Sequence, residues 1–136
     1  MRKLLGTLAG LVVLFLFVPL TEAAILLLYP SPPGLDRYDP VAFAAWAEAI
    51  PDPVLAVRAL GGLAGALAGG WIALKASNWH AAHYWVLAPA LGLAGWELAQ
   101  FAHPLWAQVA MLVAPLLGVR LALGLPWRDY RRFRIA

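Results

Sequence analysis

The sequence predicts an all-α integral membrane protein: four transmembrane helices in a compact bundle, N-in/C-in, with a short extracytoplasmic loop helix. Three observations carry this. Charged residues make up 12% of the 136-residue chain, half of the about one quarter usual in water-soluble domains. The apolar residues fall into long runs, each close to the ~20 residues a helix needs to cross a bilayer. The basic residues also gather on one side of those runs. Arg2, Lys3, Lys75, Arg128, Arg131, Arg132 and Arg134 occupy the termini and the second connection, whereas the long first connection carries Asp36, Asp39, Glu48 and Asp52 against Arg37. The positive-inside rule then puts both termini in the cytoplasm and the chain in the plasma (inner) membrane. One transmembrane domain accounts for the whole length.

The first span is expected over residues 4–28. Its opening, MRKLLGTLAGLVVLFLFVPLTEA, has the basic start, apolar core and small-residue ending of a secretory signal. The apolar run resumes at once as AILLLYP, which favours a retained signal anchor. The stretch reaches about 37 Å, enough to cross with some tilt, and Pro19 is expected to kink it. The next segment, YPSPPGLDRYDP, is a loop punctuated by proline and glycine. Asp39-Pro40 then supplies a capping carboxylate and a first-turn proline, so a loop helix is expected over residues 40–50. Phe43, Trp46, Ala47 and Ile50 share one of its faces. Such a helix packs on the bundle or lies in the membrane interface with Trp46 at headgroup depth, and the two are compatible.

Asp52-Pro53 repeats the start signal for a second span over residues 53–76, which KASN turns. A third span, residues 79–102, contains Pro89 and is broken by His103-Pro104. A fourth, residues 104–125, contains Pro115. The basic tail, residues 127–136, carries Arg128, Arg131, Arg132 and Arg134, which are expected to meet anionic lipid headgroups. Membrane lipids, not nucleic acid, are the partners this charge implies.

Arg58 stands inside the second span. Gly62, Gly65 and Gly69 fall on a stripe with it, and Gly61, Gly65 and Gly69 form a small-x-x-x-small series, so these four glycines are read as a helix-packing face. Arg58 on that face would point toward protein, although snorkelling to the nearby boundary is the simpler alternative. Two acids sit at matching depth: Glu22, about 9 Å inside the outer end of the first span, and Glu97, about 8 Å inside that of the third. A lone charge in hydrocarbon is costly, so a network of Arg58 with Glu22, Glu97 or both is expected, with Gln100, Gln108 and His103 close by. It binds a ligand, serves as structural glue or contacts a neighbouring subunit. Arg120, near the inner end of the fourth span, is expected to snorkel.

Other chemistry is thin. Without cysteine there are no disulfides, thiolate catalysis or thiolate metal sites. No phosphate loop, HExxH or serine elbow occurs. His80 and His83 supply too few ligands for a metal, and His103 lies at the opposite face. No cofactor, metal or catalytic residue is therefore expected. Small size, the glycine face and minimal loops suit a non-catalytic accessory or assembly subunit, associating with other membrane subunits or with itself. The alternatives are an intramembrane lipid-, isoprenoid- or quinone-binding protein or enzyme anchored at Arg58, Glu22 and Glu97, and a small oligomeric transporter using Glu97 as its titrating group.

Overall fold

The apolar runs and the Asp39-Pro40 start all fold as helices. The computed structural model describes residues 1–36 and 38–126, with α1 (Arg2–Leu28), α2 (Pro40–Glu48), α3 (Asp52–Ser77), α4 (Ala82–Gln100) and α5 (Leu105–Gly124). Arg37 and the tail arginines Arg128, Arg131, Arg132 and Arg134 lie outside the described residues. Three helices, α1, α3 and α5, are long and apolar enough to cross a membrane. At 19 residues α4 is long enough but less apolar. The bundle turns apolar side chains outward: Val12, Leu16 and Leu20 on α1, and Val109, Leu112, Leu116 and Leu121 on α5, are exposed. This reverses the pattern of a helix packed in water and associates the bundle with a membrane.

Local chemistry sets the helix ends. The Asp39 carboxylate accepts from Val41 N at 3.0 Å and Ala42 N at 3.4 Å, capping α2. This helix stops at Glu48, short of the expected residue 50, because Ile50 precedes Pro51 and is steered away from helical geometry. The third apolar run also starts later than residue 79. Asn78 ends α3 in the left-handed conformation (φ 50°), and Trp79 N donates to Ser77 Oγ at 3.1 Å, so a turn occupies Trp79–Ala81. At its far end Phe101 is already extended. Pro19, Pro89 and Pro115 all lie inside continuous helices.

At the centre of the bundle stands α3, with α1 as its most extensive neighbour and α5 next; α1 and α5 do not meet. Gly6 lies on the backbone of Ser77 and Thr21 on Gly61, so α1 and α3 run antiparallel. Gly118 lies on Leu63 and Leu67, and Gly70 on Val119 and Ala122, so α3 and α5 run parallel. At the α1–α3 crossing, a Cβ on Gly10 or Gly69 would strike the carbonyl oxygen of the other. Backbones this close gain dispersion contacts, which hold helices together where lipid removes the hydrophobic drive.

Gly61, Gly65 and Gly69 pack on Thr21, Phe17 and Leu14 of α1. Gly62 does not belong with them. Nothing lies within 4 Å of the place its Cβ would take. One residue turns a helix by about 100°, which carries Gly62 off the α1 seam toward the side of Arg58.

Gly69→Ala and Gly118→Ala should each lower stability by about 1–3 kcal/mol, since the added methyl meets backbone and not a movable side chain. Gly92→Ala, with open space before it, should stay within about 0.5 kcal/mol. Thermal unfolding in one detergent checks the contrast, and equal effects at the three sites would refute it.

Candidate functional site

Helix direction brings three charged side chains to one end of the bundle. Arg58 lies in the second turn of α3, Glu22 in the last two turns of α1 and Glu97 in the last turn of α4. Because α1 and α4 run against α3, these positions coincide in depth. Arg58 Nη2 donates to Glu22 Oε1 at 3.0 Å and Oε2 at 3.2 Å, and Nη1 donates to Glu97 Oε1. The guanidinium thus joins two other helices. Its two partners differ in setting: the Glu22 side chain is 50% exposed and that of Glu97 23%.

The remaining polar residues play other parts. His103 is buried, with Nε2 3.6 Å from Glu97 Oε1, too far for a hydrogen bond. Gln108 was expected to complete the hydrogen bonding around the guanidinium. Its Nε2 instead donates to the His103 carbonyl at 2.6 Å and so holds the α4–α5 connection. Gln100 is exposed and makes no side-chain hydrogen bond among the described residues; the last residue of α4, it sits on a rim.

That rim borders a cavity of about 320 Å³. Phe17 and Val18 of α1, Leu93 of α4 and Pro115 of α5 give it apolar walls, Gly62 opens onto it, and Arg58 with its two glutamates forms its polar side. Phe43 and Trp46 line it from α2, and Ile50 from the segment that follows. This helix stands off from the others, with none of its Cα atoms within 8 Å of another helix. Aromatic rings fill the gap. Trp46 stacks on Tyr29 (centroids 5.7 Å apart, planes 13° apart), Phe43 tilts against Trp46 at 5.6 Å, and Phe43 meets Phe101 edge-on at 5.8 Å. Ala47 is buried, as is Ile50 just beyond the helix, so α2 covers this end of the bundle as a roof.

No periodicity in the sequence joins these aromatics into one feature. Four of them, Tyr29, Phe43, Trp46 and Phe101, bracket the two connections at this end of the bundle, which was the available signal. Two donors near the roof have no partner among the described residues: Trp46 Nε1 and Arg58 Nε.

The opposite end is basic. Arg2 Nε donates to the Ala76 carbonyl at 3.1 Å, placing a cation at the negative end of the α3 dipole. Lys3 and Lys75 lie over the rings of Trp79 and Trp71. His80 and His83 are here too, ring centroids 4.9 Å apart, with His83 Nδ1 against the His80 carbonyl. Among the described residues no three His, Asp or Glu side chains come together as a metal site. The chain matches no protein-family model, no curated protein and no solved structure.

The difference in exposure makes the two ion pairs unequal. Glu97→Gln should cost about 3 kcal/mol, because it leaves a largely enclosed guanidinium short of its less exposed partner. Glu22→Gln should cost about 1 kcal/mol or less. Double-mutant cycles with Arg58→Met, read by unfolding in detergent, measure both couplings, and a larger coupling to Glu22 would contradict this ranking.

Proposed function

We propose that the protein binds a small apolar amphiphile inside the membrane, in the cavity beneath α2, with the polar end of the ligand at the level of Arg58. One observation carries the reading: a cavity with apolar walls and a single polar cluster at one side. Its volume of about 320 Å³ falls within the range of about 300–1,000 Å³ usual for ligand pockets, which combine these two features. An accessible wall of leucine, valine and phenylalanine suits a chain or ring of lipid, isoprenoid or quinone type.

In this reading α4 is the fourth span. Its 19 residues rise about 28 Å, close to the hydrocarbon thickness. The basic end, with Arg2, Lys3 and Lys75, faces the cytoplasm of a plasma (inner) membrane, and the acidic end with Asp36, Asp39, Glu48 and Asp52 faces out. The cavity then belongs to the outer leaflet, and α2 lies at its surface.

An accessory or assembly role is the second reading, and a separate feature favours it. Ala88, Gly92, Gly95 and Ala99 form one exposed face of α4, flanked by Trp85 and Trp96 at 60% and 69% exposure. Nothing lies within 4 Å of a Cβ at Gly92 or Gly95. Small residues on a lipid-facing helix permit close approach of another helix.

Native mass spectrometry of the gently extracted particle tests both readings. The binding reading expects a stoichiometric lipid-like molecule, lost at least about tenfold in Gly62→Leu, whose Cβ meets open space and whose side chain enters the cavity, while the melting temperature holds. A particle of unrelated chains with no small molecule would favour the accessory reading instead. The absence of cysteine makes topology directly measurable. Val41→Cys should react with an impermeant maleimide in intact cells, and Ala76→Cys only after the membrane is opened; the reverse pattern would invert the proposed orientation.

A further inference from the structure

We infer that the polar end of the ligand is an uncharged hydrogen-bond acceptor, such as a quinone, ketone or ester oxygen, and not a phosphate. This deepens the cavity-binding reading and rests on it. Two unpaired donors point to such an acceptor. Trp46 Nε1 and Arg58 Nε are N–H groups that can only donate, and both are buried without a partner. Their side chains line one cavity from different elements, Trp46 from the roof and Arg58 from the α3 wall. An acceptor that reaches them from the cavity would exchange an unpaired donor for a paired one. The third unpaired nitrogen, His103 Nε2, faces Glu97 and is not part of the cavity wall.

Charge decides which acceptor. Arg58 contributes +1 and the two glutamates −2 in formal charge, so these three side chains carry a net −1. The Arg58 guanidinium already donates to both carboxylates through its terminal nitrogens. A phosphate would bring further negative charge beside Glu22 and Glu97, in a setting that screens it poorly. An ammonium headgroup meets favourable carboxylates but has no lone pair for either N–H. A neutral carbonyl oxygen satisfies the donors and adds no charge. The apolar walls below take the rest of the molecule, down to Leu14 and Ala90.

Titration calorimetry on the purified protein in one detergent, with three probes of equal chain length, tests this. The probes are decylbenzoquinone, with two neutral acceptors; decylbenzene, with none; and decyl phosphate, with charged ones. The quinone should bind about tenfold more tightly than decylbenzene, and decyl phosphate no more tightly than decylbenzene. Trp46→Phe retains a ring to stack on Tyr29 and removes the N–H. It should weaken the quinone about three- to tenfold and leave decylbenzene unchanged. Equal affinity for quinone and decylbenzene, or tightest binding of decyl phosphate, overturns the acceptor inference while the cavity-binding reading stands. Binding of none of the three overturns both. The wild-type ranking decides alone if Trp46→Phe does not fold.

Discussion

Close approach of backbones along α3 is the constraint on which the rest of this bundle depends. Between helices surrounded by lipid, apolar side chains gain little by leaving their solvent, and fit must supply the attraction. The central helix presents glycine and alanine on two sides. One side takes α1, through Gly10 against Gly69, and the other takes α5, through Gly118 against Leu63 and Ala66. Where α3 carries Arg58 and an unopposed Gly62, no neighbour comes as close. The cavity is the space left on that side, and the aromatic rings under α2 prevent the roof from collapsing into it.

The ionic cluster does mechanical and chemical work at once. Arginine at the centre of a membrane helix is disfavoured by about 2.5–3.5 kcal/mol on insertion scales, and pairing is the usual relief. Here two carboxylates from two helices provide it, and in doing so tie α1 and α4 to α3 at the end beside the cavity. The same arrangement puts a polar wall beside an apolar space. Its half-exposed member, Glu22, lies toward the surroundings, and the better enclosed Glu97 lies toward His103.

Much of the fold was legible because helix starts and stops are written in short-range chemistry. Asp39-Pro40 caps α2 within a single turn, and His103-Pro104 keeps α4 and α5 apart. At α3 the cap position falls to Pro51, so Asp52, expected as a cap, stands inside the first turn and makes no capping bond. Depth was also legible: counting residues from the ends of three runs brings Glu22, Arg58 and Glu97 to one level. Rotation about the helix axis was not. Whether Gly61 or Gly62 meets α1 depends on which way α3 is turned, and adjacent glycines give no local preference. Gly6 and Gly10 show the same four-residue spacing, yet their role as the opposing half of the seam needs the partner helix to be known. The glutamines illustrate the same limit, since a flexible amide at correct depth can serve a loop carbonyl as readily as a guanidinium. The aromatic roof was hidden for a different reason. Tyr29 and Trp46 meet through the course of a loop, and no periodicity encodes that path.

The placement of α1 has a kinematic consequence. Arg2 fastens one end of this helix to the Ala76 carbonyl, Glu22 fastens the other to Arg58, and Gly10 is seated on Gly69 between them. A piston-like slip of one residue, about 1.5 Å, would undo all three attachments together. Rotation about its own axis would drive larger side chains into the seam. Close backbone seating along the seam therefore resists sliding and turning of α1 on α3. Any change of volume beside Arg58 falls to the stand-off helix α2 and to α4, whose hold on the frame is lighter.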